Sequence, residues 1–119
     1  MTSRILALVI DCTSAQVSAL SEFWCSALGY RVDRRWQDPH GVTYTELTGD
    51  GPMLLLQPVD EPKTTKNRLH LDLSAPRDRD AEVDRLVGLG ARRAGGDEGM
   101  PWVVLTDPAG NEFCVLPPR

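Results

Sequence analysis

The chain has no excess of positive charge, no long apolar run, no cysteine pair at metal-binding spacing, and no counterpart for the one histidine on a patterned strand. Its 13 Lys and Arg against 17 Asp and Glu give a net charge of -4. Only the stretch from Lys63 to Arg68 gathers basic groups, so a nucleic-acid surface is not expected. The apolar run from Ile5 to Ile10 is too short to span a bilayer or to act as a typical signal core, and Asp11 stops it. Neither membrane anchoring nor export is therefore expected, and the cytoplasm is the default location. Cys12, Cys25 and Cys114 form no CxxC motif and are odd in number, which favours reduced thiols over a disulfide framework. At 119 residues the chain suffices for one domain that buries roughly two thirds of its unfolded surface.

What is present is a repeat. Ala7-Leu8-Val9-Ile10-Asp11 reads against Arg68-Leu69-His70-Leu71-Asp72, setting Val9 against His70, and the same offset sets Leu28-Gly29 against Leu89-Gly90 and Arg31 against Arg92. Two copies of one strand, helix, strand, strand, strand module follow. In the first, residues 5 to 12 form a β-rich run, and residues 15 to 28 place Val17, Leu20, Phe23, Trp24, Ala27 and Leu28 at helical spacing before Gly29 stops the helix. Three short strands near 31–36, 42–48 and 53–57 are separated by Asp38-Pro39-His40-Gly41 and Gly49-Asp50-Gly51-Pro52, both turn signals. The second copy predicts a strand over 66–74, a helix over 78–89 with Ala81, Val83, Leu86, Val87 and Leu89 inward, and strands near 91–94, 101–106 and 111–117. Asp107-Pro108-Ala109-Gly110 turns the last two into a hairpin. The fold class is α+β, with two tandem βαβββ modules forming a curved mixed sheet around a cleft. Module one covers about 4–58, a linker about 59–65 and module two about 66–117, all in a single domain over 1–119.

Alternation over 66–74 puts Asn67, Leu69, Leu71 and Leu73 on a packing face, and Lys66, Arg68, His70, Asp72 and Ser74 on a face that meets water or ligand. Aligning Gly51 with Gly110 sets Leu55 against Cys114, with Met53 and Gln57 flanking the former and Glu112 the latter. Val9, Leu55, His70 and Cys114 are then the related positions. Imidazole and thiolate both bind zinc, yet two ligands fall short of the three that catalytic zinc sites keep. No metal ligand set and no cofactor is expected, a divalent metal being the disfavoured alternative. Asp11 and Asp72 recur at strand ends, where bonding to the following turn is an ordinary role for Asp. Cys114 reads equally as a small buried hydrophobe.

The duplicated pattern, Phe23-Trp24 followed by Leu28-Gly29-Tyr30, the strand around His70, and Asp107-Pro108-Ala109-Gly110-Asn111 together resemble the vicinal oxygen chelate superfamily of glyoxalase I, bleomycin-resistance proteins and extradiol dioxygenases. Lys63 to Leu73 with Asn111-Glu112-Phe113-Cys114-Val115-Leu116 is further similar to a small glyoxalase-like subgroup. In metal-dependent relatives the resemblance implies one ligand on each of the first, fourth, fifth and eighth strands. Those positions fall here on Val9, on Leu55 or nearby Gln57, on His70, and on Cys114 where a Glu is usual. Only His70 matches, and Glu112 lies two positions early.

The resistance branch implies a metal-free use of the fold: a concave sheet, often completed by a second subunit, that holds a planar compound against aromatic side chains. A small-molecule-binding protein is accordingly the leading reading, with His70, Gln57, Arg68, Trp36, Trp102 and Cys114 as ligand-binding residues, Tyr44 a further aromatic candidate, and a homodimer as the assembly. The alternative is a lyase or isomerase of the glyoxalase type in which His70, with Glu112, serves as acid and base. A third reading is a scaffold that uses the fold without a ligand.

Overall fold

A β-branched and leucine-rich run gains most when a ladder satisfies its backbone and a helix covers one face. That is how each half of the computed structural model, which describes residues 1–119, is built. Two compact units divide the chain, Met1–Pro62 and Lys63–Arg119. No helix is long and apolar enough to cross a membrane.

The first unit runs β1 (Leu8–Cys12), a 3-10 turn (Ser14–Gln16), α1 (Val17–Leu28), β2 (Arg31–Gln37), β3 (Thr43–Thr48) and β4 (Leu54–Pro58). Its sheet has the order β1-β4-β3-β2, with β1 and β4 parallel and the other pairs antiparallel. Thr13 donates its N–H to Gln16 Oε1 at 2.9 Å, which ties down the start of the helical segment. Gly29, at φ 68, ends α1 and returns its N–H to the Cys25 carbonyl. Only glycine adopts that backbone without a Cβ penalty. Leu20, Phe23 and Trp24 on α1 and Thr45, Leu47, Leu54 and Leu56 on the sheet are all buried. Phe23 and Trp24 meet edge to face, with centroids 5.1 Å apart.

The second unit repeats the topology with β5 (Leu71–Ser74), α2 (Arg79–Leu89), β6 (Arg92–Arg93), β7 (Val103–Thr106) and β8 (Glu112–Leu116), in the order β5-β8-β7-β6. Asp78 caps α2 by accepting from the Asp80 N–H. Val83 and Leu86 share the core with Val103, Leu105, Phe113 and Val115. The two tandem βαβββ modules are as expected from the repeat, and each has its own mixed four-stranded sheet.

Three expectations need correction. The strand expected over 66–74 begins only at Leu71, because Asn67 is bonded away to Glu112 and Asn111 instead of entering a ladder. Leu69 consequently does not pack and is 86% exposed. On α2 the buried stripe is Glu82, Val83 and Leu86, a set at i, i+1 and i+4. Ala81, Val87 and Leu89 fall off that stripe and are exposed. The buried Glu82 is neutralised by a two-point ion pair with Arg85, at 2.8 and 2.9 Å.

Candidate functional site

The chemistry of the second unit is organised by its last turn. Asp107 is buried, and its Oδ1 accepts the N–H groups of Ala109 and Asn111, both at 2.9 Å. That closes the Pro108-Ala109-Gly110 bend and aims Asn111 and Glu112 at the chain leading into β5. Asn67 Nδ2 donates to Asn111 Oδ1 at 2.7 Å, Asn67 N–H donates to Glu112 Oε1 at 2.8 Å, and Lys63 Nζ reaches Glu112 Oε2 at 2.6 Å. Burial works to raise the Glu112 pKa, but the Lys63 ammonium and the Asn67 N–H prevail and hold the carboxyl below its ordinary value.

This clamp delivers His70 one residue ahead of β5. Its Nε2 lies 3.2 Å from Asp72 Oδ1. Asp72 in turn sits opposite Cys114 in the parallel β5–β8 register, and the thiol is hydrogen-bonded to the Asp72 carboxylate. The imidazole nitrogen, carboxylate oxygen and sulfur lie within 4.8 Å of one another, with His70 and Asp72 exposed and Cys114 buried. Burial, followed by the charge of Asp72, pushes the Cys114 thiol up from its ordinary value. It is therefore protonated near neutrality and a poor nucleophile unless a cation replaces its proton.

In the first unit, alternation separates a packing face of Thr45, Leu47, Leu54 and Leu56 from a face turned away from α1, which carries Val9, Leu55, Gln57, Glu46, Tyr44, Trp36 and Arg34. Trp36 and Tyr44 are register partners and stack, with centroids 4.4 Å apart and planes 13° from parallel. Glu46 Oε2 accepts from Trp36 Nε1 at 2.7 Å and from Arg34 Nε at 2.9 Å. The Arg34 guanidinium carbon lies 5.9 Å from the Trp36 ring centre. Tyr44 donates its hydroxyl to Asp38 Oδ2 at 3.1 Å. Both rings are thus locked in orientation, and both are half-buried. On the α1 side lies a recess of about 440 Å³ lined by residues including Ser14, Arg35, His40 and Asp60; it contains none of the residues named from the sequence as candidates for ligand binding or catalysis.

Of those residues, the structure brings His70 and Cys114 together. Glu112 is engaged by Lys63 and Asn67. Trp36 forms the aromatic pair, and Gln57 lies half-buried on β4 across from Asp11. Arg68 is exposed ahead of β5, and Trp102, also exposed, directly precedes β7. Sequence reasoning passed over Asp72 as a site residue and missed Arg34 and Glu46 altogether. The signal was available: Asp72 shares the alternation face of His70, and Glu46 stands two residues beyond Tyr44, but neither pattern distinguishes a site residue from a solvated one.

Two βαβββ modules, each with a parallel strand pair at one edge of its sheet continued by antiparallel strands, define a vicinal oxygen chelate fold. A family model described as a glyoxalase-like domain matches residues 7–116, and the chain belongs to that family. Among solved structures it is similar to the trypanothione-dependent glyoxalase I of Leishmania major, at 21% identity over 98% of this chain and 87% of that one, with a TM-score of 0.76. It is also similar to the fosfomycin resistance protein FosX of Listeria monocytogenes, at 12% identity over 100% and 94% of the two chains and a TM-score of 0.76. An antibiotic-binding protein of a Streptomyces species, TnmS3, aligns at 22% identity over 99% and 98%, with a TM-score of 0.64. At these identities the likeness shows the fold. No curated protein matches the chain in sequence.

The FosX protein has also been crystallised with Mn(II), so the fit of this chain to a metal needs testing on its own donors. At the four positions that metal-dependent relatives use, Val9 and Leu55 carry only hydrocarbon, and Val9 is 51% exposed. Val9 and Leu55 therefore supply no side-chain donor to a metal.

Proposed function

We propose that this chain is a small-molecule-binding member of the glyoxalase-like family, which takes a planar organic ligand against the Trp36–Tyr44 pair. The observation that carries this reading is the locked stack itself, held by Glu46 and Asp38 at hydrogen-bonding distance. A pre-oriented aromatic pair offers stacking area without a rotamer cost on binding, and Arg34 beside it favours a ligand with an electron-rich or anionic edge. Val9, Leu55 and Gln57, on the same face of the sheet, supply apolar contact and one amide for orientation. The antibiotic-binding character of a structural relative supports a small-molecule ligand. A homodimer is the proposed assembly, checked by light scattering, and a reducing cytoplasm suits three cysteines that form no disulfide.

The test is a panel of planar aromatic compounds followed by quenching of tryptophan fluorescence. Saturable quenching by a panel member, lost in Trp36→Ala and weakened in Arg34→Ala with the fold intact by circular dichroism, is the expected result. Binding untouched by Trp36→Ala would sink the reading.

A second reading is favoured by the 3.2 Å approach of His70 Nε2 to Asp72. A carboxylate that orients an imidazole equips it for proton transfer, as a lyase or isomerase requires. Exchange of a substrate carbon-bound proton with solvent, abolished by His70→Ala, is its signature.

A further inference from the structure

We propose that the recess on the α1 side of the first sheet binds a small zwitterion with an aliphatic body, its anionic end on Arg35 and its cationic end on Asp60. The volume, about 440 Å³, lies within the range of small-molecule pockets, roughly 300 to 1,000 Å³. Neither ring of the aromatic pair lines it. Alternation explains the separation: Arg35 pairs with Thr45 on the packing side of the ladder, and Trp36 pairs with Tyr44 on the other.

Two opposite charges line the recess, and neither is neutralised. Arg35 and Asp60 enter no ion pair, with each other or elsewhere. Topology holds them apart, since Arg35 is on β2 and Asp60 follows β4, with β3 between them in the sheet. Two strand spacings amount to about 9 to 10 Å. The remaining lining is hydroxyl and hydrocarbon: Thr43 and Thr45 from β3, Val17 from α1, and Val42 and Val59 from the segments flanking the strands.

That distribution selects the ligand. A bare anion drawn to Arg35 also meets the Asp60 carboxylate, and a bare cation drawn to Asp60 also meets the guanidinium, so each loses part of what it gains. A molecule with one charge of each sign at the ends of a short methylene chain satisfies both. Its apolar body then lies against Val17, Val42 and Val59. Ser14 and His40, also on the lining, add side chains that hydrogen-bond to its polar ends.

The walls are fixed before a ligand arrives. Asp38 Oδ1 accepts the N–H groups of His40 and Val42, and the Asp38 N–H closes the same turn on the Val42 carbonyl at 3.0 Å. Val59 donates its N–H to the Cys12 carbonyl at 2.6 Å, which ties down the chain just ahead of Asp60. The Thr13 N–H bond to Gln16 Oε1 frames Ser14 in the same way. Ordering on binding is therefore confined to side chains. The site is independent of the proposed aromatic one, which lies on the opposite face of the sheet and shares no residue with it.

The test titrates the full-length protein with ε-aminocaproate, followed by calorimetry and by backbone amide shifts in NMR spectra. Saturable binding at one site per chain is expected, with the largest shifts at Ser14, Val42 and Val59. Caproate and hexylamine, each lacking one of the two charges, should bind about tenfold more weakly, the worth of one charge-assisted hydrogen bond. Arg35→Gln and Asp60→Asn should each weaken ε-aminocaproate by about the same factor. Both positions are exposed, so the fold tolerates the changes. Asp60→Asn should also strengthen caproate, because the carboxylate that repels it is gone, and a merely structural role for Asp60 does not produce that reversal. Absence of saturable binding, equal affinity for the three probes, or shifts confined to the Trp36–Tyr44 face would each overturn the proposal.

Discussion

Asp72 stands to Cys114 in the β5–β8 ladder as Val9 stands to Leu55 in the β1–β4 ladder. Both pairs lie on the parallel strand pair of modules with the same topology, yet one is a carboxylate facing a thiol and the other is two hydrocarbons. The linear repeat matches Val9 to His70, whereas ladder register matches it to Asp72. A histidine that seemed to have lost its symmetric partner is instead the neighbour of a polar pair that only the second module possesses. The modules therefore share a backbone and divide their chemistry: stacked aromatics in the first, a three-donor cluster in the second.

Acid stability reports on the clamp that positions this cluster. A carboxyl held below its unfolded value adds stability above that unfolded value and loses it as pH falls through the folded value. Glu112 is such a group, so its contribution is full at neutral pH and is lost progressively as pH falls below the ordinary carboxyl range and through the lowered folded value. Glu112→Gln should cost about 1 to 2 kcal/mol at neutral pH, the range for a largely shielded charge-assisted bond. At an acid pH well below the ordinary carboxyl range the deficit of the variant should shrink toward zero. Urea melts at the two pH values check this, and an equal deficit at both would show that the ion pair with Lys63 is not the source.

Tyr44 offers a spectroscopic reading of the aromatic site. Burial first, then its hydrogen bond to Asp38 and the Asp38 charge, raise the phenol above its ordinary value. Asp38→Asn removes the charge, so the Tyr44 titration should move down toward that ordinary value and stop short of it, because burial persists. The chain has two tyrosines, and a Tyr30→Phe background isolates the transition in tyrosinate absorbance. An unchanged midpoint would mean the Asp38 contact is not maintained in solution.

One buried atom argues for a stabilising substitution. Thr48 Oγ1 is shielded from solvent and has no hydrogen-bond partner. A buried hydroxyl left unsatisfied costs roughly 1 to 3 kcal/mol, while Val keeps the branched shape that suits the end of β3. Thr48→Val should raise stability by about 1 kcal/mol, the low end of that range. A lower melting temperature would show that the hydroxyl finds water.

Legibility of the sequence followed the kind of force involved. Helix and strand positions were readable because burial imposes a period: Leu20, Phe23 and Trp24 mark α1, and Gly29 marks its end through a backbone requirement confined to one residue. The late start of β5 at Leu71 was not readable, since it depends on Asn67 bonding to residues 44 and 45 positions away. The same holds for the site. His70 and Cys114 were legible through the repeat and the family resemblance. Asp72 needed the ladder register, and Glu46 needed the observation that a single carboxylate oxygen gathers both Arg34 and Trp36. Long-range polar partners have no period in the chain.

Two aspartates at the head of similar turns make a matched comparison. Asp38 Oδ1 accepts the N–H groups of His40 and Val42, at 2.9 and 3.0 Å, just as Asp107 Oδ1 accepts those of Ala109 and Asn111. The difference is solvent: Asp107 is 3% exposed, so two backbone donors stranded by Asp107→Ala have no water to turn to. That substitution should cost about 2 to 3 kcal/mol, and Asp107→Asn, which keeps an oxygen acceptor, should cost less. Asp38→Ala should cost less than Asp107→Ala because water reaches its turn. Because the Asp107 turn also places Asn111 and Glu112 against Asn67, Asp107→Ala should speed amide exchange at Asn67 along with that at Ala109 and Asn111. Exchange measured by mass spectrometry or NMR distinguishes this from global loss of stability, in which the β1–β4 amides would accelerate equally.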